Sequence, residues 1–456
     1  MNVPAHTLVV GLGKTGLSIA RHLQANGKPF AVADTRAEPP GLAQLRALAP
    51  KVAVASGALH AGLLAGVDEV VVSPGLAADG PLFDAARARG IPVVGDIELF
   101  ARRARAPVVA ITGTNGKSTV TTLVGRMARR AGLAARVGGN LGEPALDLLD
   151  DAAALYVLEL SSYQLDTTES LELVAATVLN VTPDHLDRYG SVQRYAASKA
   201  RIFRRCGVAV LNADDPLVAP MGQECARRIG FSIAGALPGG GARSGDHLAG
   251  NAARYHLGFH QGREWLMRAG EPLLATADMR LAGRHNAANA LASLALGEAL
   301  GLPLAPLLDE LREFAGLPHR TAWVGEHAGV RYIDDSKGTN VGATLAAVAG
   351  LPGPLLLVAG GDGKGQDFAP LAPALAGKVR HALLIGRDAR LLGAALAGAC
   401  PVEYCQSLEA AVHRAAQLAQ AGDTVLLSPA CASLDMFRDY AHRGDVFAAA
   451  VRGLAA

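Results

Sequence analysis

Thr112-Gly-Thr-Asn-Gly-Lys-Ser-Thr119 carries the residue types, in order, that a phosphate chain asks for. Gly113 and Gly116 let backbone N–H groups turn inward. Lys117 reaches terminal phosphate oxygens, and Ser118 or Thr119 can hold Mg²⁺ where a helix begins. The spacing is GxxGK[ST] rather than the commoner GxxxxGK[ST], and the bland alternative is a glycine-rich turn with an exposed lysine. Near the start of the chain, Gly11-Leu-Gly-Lys-Thr-Gly16 matches a dinucleotide-type turn, with Asp34 closing the next strand where it could grip a ribose. Such a turn suits any diphosphate ligand and also serves as a purely structural tight turn. Two phosphate sites with no other redox signature favour ATP plus a nucleotide-activated substrate over NAD.

Glu159 ends a strand in Glu159-Leu-Ser-Ser-Tyr-Gln-Leu165. Asn180-Val-Thr-Pro-Asp-His-Leu-Asp-Arg-Tyr189 follows another and sets Asp184, His185 and Asp187 on a strand-to-loop edge. Carboxyl ends of neighbouring parallel strands converge on a ligand crevice, so Glu159 and His185 are expected to meet a metal near the Lys117 loop. Lys199 lies on a helix soon after, where an ordinary solvated lysine fits equally well. Asp334-Asp-Ser-Lys-Gly-Thr-Asn340, Gly360-Gly-Asp-Gly-Lys-Gly365 and Ser428-Pro-Ala-Cys-Ala-Ser-Leu-Asp435 each follow a strand. They bring Lys337, Thr339, Lys364 and Ser433 to strand C-termini, where a small anionic substrate can be held. Of 8 lysines beside 35 arginines, five (Lys14, Lys117, Lys199, Lys337 and Lys364) fall in these segments, which suits a demand for a compact ammonium or a primary amine.

The elements that must position these residues read as three α/β series. Strands are expected at 7–10, 30–33, 69–72 and 91–94, then at 107–111, 156–160, 176–179, 207–211 and 228–232. Helices are expected at 120–131, 286–300 and 304–314, and further strands at 331–334, 355–359, 382–385 and 424–427. The glycine-rich stretch 238–250 lacks periodicity and reads as a surface loop. The expected organisation is a Rossmann-like N-terminal domain (1–94), a central P-loop-type ATPase domain with a mostly parallel sheet (95–316) and a Rossmann-like C-terminal domain (317–456).

The chain of 456 residues is long enough for several such domains at roughly 100–200 residues each. Its 43 Lys+Arg against 41 Asp+Glu leave +2, which argues against a strongly basic nucleic-acid binder and an acidic solvating chain. Half the residues are hydrophobic and 18% charged, which excludes disorder. The longest uncharged stretch, 338–361, is interrupted by Gly350-Leu-Pro-Gly-Pro354 and reads as helix, turn and strand rather than a membrane span. The first residues show no export pattern, and five cysteines without a CxxC pair fit a reducing cytoplasm.

On GLGKTGLS, DTR at 34–36, SPG at 73–75, GTNGKST, GGNLG at 138–142, ELSSYQL, NVTPDHLDRY, GRHNAANA at 283–290, LPHR, DDSKGTN, GGDGKG and SPACASLDMF, the chain resembles the ATP-dependent Mur ligases of peptidoglycan precursor synthesis along its whole length. GxGxTG with DTR, and DSKxTN with SPACASLD, favour the branch that adds D-glutamate to UDP-N-acetylmuramoyl-L-alanine. The resemblance implies a UDP-substrate site of Lys14, Thr15, Asp34, Thr35, Arg36, Gly75, Asn140 and His185. It places ATP on Gly113, Thr114, Asn115, Gly116, Lys117, Ser118 and Thr119, with the adenosine near Asn286, Asn289, Arg320 and Asp335. One Mg²⁺ would use Ser118 and a second Glu159, His185 and Lys199, the lysine being carbamylated by CO₂. With Lys117, these residues form the expected catalytic set. D-glutamate would meet Lys337, Thr339, Lys364, Ser433, Leu434 and Tyr440, the last standing where the family often has Phe.

Amide synthesis from a carboxylate needs a good leaving group, so the resemblance implies an acyl phosphate, with closure of the third domain over the second to keep water out. A monomer is expected, with no nucleic-acid or membrane partner. A folylpolyglutamate-synthase-like ligase shares the ATP motif but leaves the first ninety or so residues without a role. An NAD-dependent oxidoreductase leaves the Lys117 loop unexplained. A nucleotide-binding scaffold derived from a ligase would bind without releasing ADP.

Overall fold

Short runs of Val, Leu, Ile and Ala between glycine turns form strands that can be buried on both faces of a parallel sheet. The computed structural model describes residues 6–234, 253–281, 283–351 and 353–454 and contains three such sheets. The first consists of β1 (Thr7–Val10), β2 (Phe30–Asp34), β3 (Val54–Ser56), β4 (Glu69–Val72) and β5 (Val93–Val94), all parallel, in the order β3-β2-β1-β4-β5. The order reverses between β1 and β4, which opens a crevice at their carboxyl ends. The Gly11 turn springs from one lip of it and Ser73 from the other. Leu8, Val10, Val70 and Val72 pack under Leu82, Phe83 and Ala86 of the helix Pro81–Ala88. Full burial of such side chains stabilises by about 1.5–3 kcal/mol each.

The second sheet comprises β6 (Val108–Thr112), β7 (Ala135–Gly139), β8 (Leu155–Glu159), β9 (Leu173–Val178), β10 (Cys206–Asn212), β11 (Arg227–Ser232), β12 (Tyr255–His260), β13 (Arg263–Arg268) and β14 (Glu271–Ala275). Its order is β14-β13-β12-β11-β10-β9-β6-β8-β7. The strands from β6 to β12 run parallel, and β13 turns back antiparallel to β12. β6 lies between β8 and β9, so the three carboxyl ends that carry Thr112, Glu159 and Asn180 are neighbours.

The third sheet holds β15 (Ala322–His327), β16 (Val330–Asp334), β17 (Leu355–Gly360), β18 (Val379–Ile385), β19 (Val402–Tyr404) and β20 (Thr424–Leu427), in the order β15-β16-β20-β17-β18-β19. Only β15 is antiparallel to its neighbour. β20 pairs with both β16 and β17, so the motifs after Asp334, Gly360 and Leu427 leave three adjacent strands.

The chain gathers into two compact units, one of Met1–Asn180, Ala196–Leu274 and Ala290–Glu310, the other of Val181–Tyr195, Ala275–Asn289 and Leu311–Ala456. The expected loop 238–250 lies outside the described residues. The helix expected at 120–131 begins earlier, at Lys117, because Gly116 at φ +84° turns the chain directly into it. Among the described residues, no helix is long and apolar enough to cross a membrane.

Candidate active site

In the first unit, the phosphate-type loop is held from a neighbouring strand end. Gly113 (φ +148°) passes so close to Leu179 and Asn180 that a Cβ would lie 3.1 Å from Leu179 Cβ. Thr114 N donates to the Asn180 carbonyl at 2.9 Å and Asn115 N to Asn180 Oδ1 at 2.8 Å, while Asn180 Nδ2 donates back to the Asn115 carbonyl at 3.1 Å. Lys117 folds over this loop, its Nζ donating to the carbonyls of Gly113 (2.9 Å) and Thr114 (2.8 Å). Lys199, 1% exposed, reaches the same Gly113 carbonyl at 2.8 Å, so the solvated-lysine alternative is excluded.

Ser118 Oγ donates to Glu159 Oε2 at 2.6 Å, and Asn140 Nδ2 donates to Glu159 Oε1 at 2.6 Å. Glu159 is 3% exposed. A hydroxyl and a buried carboxylate at a helix N-terminus beside a phosphate loop are hard oxygen donors that suit Mg²⁺, which takes one or two carboxylates and completes its shell with phosphate and water. Among the described residues, no three His, Cys, Asp or Glu side chains form a metal cage. Ser118 and Glu159 fit an ion whose remaining positions are filled by phosphate oxygens and water.

At the first sheet, Gly16 crosses Gly11 so tightly that a Cβ would sit 1.8 Å from the Gly11 carbonyl oxygen. Asp34 accepts from Leu12 N at 2.7 Å and from Arg36 N, Nε and a terminal nitrogen at 2.9, 2.8 and 2.7 Å. The Arg36 guanidinium and these backbone donors hold its carboxyl down at about 2. All four acceptor positions of the carboxylate are engaged within the protein, so here Asp34 fastens the glycine turn and Arg36. Thr35 and Arg36 are exposed beside it. Ser73 Oγ donates to the Gly11 carbonyl at 2.9 Å, and Lys14 Nζ to the Gly142 carbonyl at 2.6 Å, joining the turn to the segment that bears Asn140. Gly75 has open space around it.

In the second unit, Asp184 is the hub. It accepts from Lys364 Nζ at 3.0 Å and Asn340 Nδ2 at 3.4 Å, and His185 Nε2 stands 3.8 Å away. His185 itself is a third exposed and stacks edge-on to Tyr195 with centroids 6.0 Å apart. Lys337 Nζ sits 3.7 Å over the Tyr440 ring, a cation–π contact. Thr339 is half-buried, Ser433 buried, and Leu434 beside it exposed. Asp335 accepts from Thr321 N at 3.1 Å and Ser428 Oγ at 2.8 Å. Burial pushes its carboxyl up to about 7 against the pull of Arg320. Asn286 and Asn289 are buried on the helix Arg284–Ala299, joined at 3.3 Å.

Five of the nine non-glycine residues at positive φ among those described (His185, His319, Thr321, Lys364 and Ala430) fall in these segments, as strain gathers at functional sites. Two partners were not readable beforehand. Arg443, fully buried, donates to Ser336 Oγ and its carbonyl at 3.0 and 2.7 Å and to the Cys431 carbonyl at 3.2 Å, tying two motif loops together. The adjacent Gly444 packs so closely that a Cβ would lie 2.1 Å from His319 Nδ1. Neither residue belongs to a motif with recognisable spacing.

Residues 5–95, 111–297 and 319–431 match the descriptions "Mur ligase MurD-like, N-terminal domain", "Mur ligase middle domain" and "Mur ligase, glutamate ligase domain". Similar proteins include two called UDP-N-acetylmuramoylalanine–D-glutamate ligase. The one from Nitrosococcus oceani is 51% identical, covering 99% of this chain and 97% of that protein. The one from Methylococcus capsulatus is 50% identical, covering 100% and 96%. A solved UDP-N-acetylmuramate–alanine ligase from Thermotoga maritima shares the fold with a TM-score of 0.59 at 20% identity, covering 98% of this chain and 99% of that one.

Proposed function

The chain belongs to the Mur ligase family, and we propose that within it this protein joins D-glutamate to UDP-N-acetylmuramoyl-L-alanine, consuming ATP and releasing ADP and phosphate. It is an ATP-dependent ligase of peptidoglycan precursor synthesis. The observation that carries the choice of substrate is the half-identical match, over nearly the full length, to relatives bearing the D-glutamate ligase name. Two of its three substrates, ATP and a UDP-sugar, are cytoplasmic metabolites, which supports a cytoplasmic enzyme, and we read it as a monomer.

The carboxylate of the alanyl substrate attacks the γ-phosphorus of ATP, ADP leaves, and an acyl phosphate results. The D-glutamate amine then attacks the acyl carbon, and phosphate leaves. Bringing a carboxylate to a phosphate costs about 4 kcal/mol per unit-charge pair at 4 Å and an effective dielectric near 20. Lys117, folded over its loop, stands where it offsets that repulsion. Ser118 and Glu159 would hold one Mg²⁺, with Glu159, His185 and Lys199 the residues for a second, and the metals would supply charge stabilisation of the phosphoryl oxygens. Thr114, Asn115, Gly116 and Thr119 line the phosphates, and Asn286, Asn289, Arg320 and Asp335 receive the adenosine.

Carbamylation of Lys199 has a local rationale. Its amine and that of Lys117 share one acceptor, and conversion to a carbamate replaces a like-charge pair by an attractive one. The UDP moiety uses Lys14, Thr15, Thr35, Arg36 and Gly75, with Asp34 acting through the Gly11 turn and Arg36 that it holds, and with Asn140 and His185 further along. D-glutamate uses Thr339, Lys364, Ser433 and Leu434, with Lys337 and Tyr440 as its neighbours.

One incubation tests the reading. With ATP, Mg²⁺ and UDP-N-acetylmuramoyl-L-alanine, D-glutamate should release phosphate and add its residue mass to the nucleotide, whereas L-lysine and diaminopimelate should do neither. Phosphate release with L-lysine but not D-glutamate would overturn it.

A further inference from the structure

One turn that belongs to none of the motifs is wedged between the loop of Lys364 and the loop of Ser433. Gly386-Arg387-Asp388 leaves the end of β18, which pairs with β17, the strand that runs into the Lys364 loop. Gly386, at φ +80°, lies so close that a Cβ would stand 2.6 Å from Asp435 Oδ2 and 2.7 Å from Gly361 Cα. Arg387 N donates to Asp435 Oδ2 at 2.9 Å, two residues beyond Ser433. Asp388 N donates to the Gly361 carbonyl at 3.0 Å, and Asp388 Oδ2 accepts from Gly363 N at 2.7 Å. The Arg387 guanidinium pairs with the Asp362 carboxylate. The three residues before Lys364 are thus held by two consecutive residues of the neighbouring strand end.

Lys364 depends on that support. Its φ of +52° lies in the left-handed region, which residues other than glycine seldom occupy. Asp362 Oδ1 accepts from Lys364 N at 2.9 Å, and the Asp362 backbone is bridged both ways to Ala432, at 3.0 and 2.8 Å. From this conformation Lys364 Nζ reaches Asp184 at 3.0 Å. Asp388 itself stands at the N-cap of the helix Ala389–Ala395, where an aspartate ordinarily accepts from its own helix. Its side chain makes no capping bond there. The carboxylate serves a loop 25 residues away instead.

We propose that Asp388, seconded by Arg387, is a positioning residue for the incoming amino acid: it holds Lys364 in its left-handed conformation and through Lys364 sets the affinity for D-glutamate. The inference rests on the assignment of Lys364 to the D-glutamate site. Once the bond to Gly363 N is lost, the loop relaxes towards negative φ and the Lys364 ammonium leaves its place. A carboxylate of D-glutamate then loses its cation, while the loop of Lys117 is untouched. A defect of this kind in ground-state binding raises KM and spares kcat.

The test is steady-state kinetics of the full-length enzyme, each of ATP, UDP-N-acetylmuramoyl-L-alanine and D-glutamate being varied with the others saturating. Asp388→Ala should raise KM for D-glutamate about tenfold, the scale of losing one charge-assisted hydrogen bond, with kcat and the other KM values unchanged. Asp388→Asn should recover most of that loss, because its amide oxygen still accepts from Gly363 N. Arg387→Ala should act in the same direction and more weakly, since its side chain is 60% exposed; it carries the test if Asp388→Ala does not fold. Unchanged KM for D-glutamate in these variants, an equal rise in all three KM values, or no recovery in Asp388→Asn would each overturn the positioning role alone. A wild-type enzyme that does not turn over D-glutamate would instead overturn the substrate reading on which it rests.

Discussion

Lys117 and Lys199 donate to one and the same carbonyl oxygen, that of Gly113, at 2.9 and 2.8 Å. Two ammonium groups so placed stand less than about 6 Å apart and repel by about 3 kcal/mol at an effective dielectric of 20. Carbamylation of Lys199, as proposed above, would remove the repulsion and supply an anionic oxygen donor. Lys199→Ala should lower kcat by about 10²–10³-fold, the scale of losing a preorganised electrostatic group, and short carboxylates should restore part of it. Full activity of the variant in their absence would refute the carbamate.

Asp335 gives the fold a pH dependence with a definite sign. Its carboxyl, raised to about 7 chiefly by burial, with Arg320 pulling down and Asp334 pushing up, holds a proton in the folded protein that the unfolded chain gives up near 4. The folded state binds more protons across that window, so this contribution to stability falls as pH rises from 4 to 7 and is flat above. Asp335→Asn should lack it. Urea unfolding from pH 5 to 8 should show wild type losing on the order of 3 kcal/mol relative to the variant, and parallel curves would count against the raised carboxyl.

Arg443 ties the loop of Ser336 to that of Cys431. Arg443→Leu leaves those acceptors unmatched, at about 1–3 kcal/mol for each buried group. The KM for D-glutamate should rise more than that for the UDP substrate, with Arg443→Lys recovering part of the difference. Lower thermal stability with all KM values unchanged would mean that Arg443 supports the fold and not the site.

Asp34→Asn breaks the carboxylate's grip on Arg36 and loosens the Gly11 turn. Charge-assisted hydrogen bonds are worth about 1.5–3 kcal/mol, so steady-state kinetics should show KM for the UDP substrate rising roughly ten- to hundredfold with kcat little changed. An equal loss in kcat at saturating substrate would move Asp34 into the chemistry instead.

What could be read in advance follows from the range of the forces involved. The buried parallel strands were legible because runs such as Val108–Thr112 and Leu355–Gly360 are apolar throughout. β12 and β13 were not, since Gly258, His260, Glu264 and Arg268 blur their alternation, and β3 and β19 are three residues long. The glycine-and-lysine motifs were legible because their chemistry is local. The bonds from Lys199 to Gly113, Lys364 to Asp184 and Arg443 to Ser336 span 86, 180 and 107 residues, and no spacing announces them.

The clamp at Asn180 has one more consequence. Because Thr114 and Asn115 are both fixed from β9 before any nucleotide arrives, the ordering of that turn, about 1–2 kcal/mol of backbone entropy per residue, is settled when the chain folds. An incoming triphosphate therefore meets a finished cradle, and its affinity need not be divided between holding the ligand and freezing the protein.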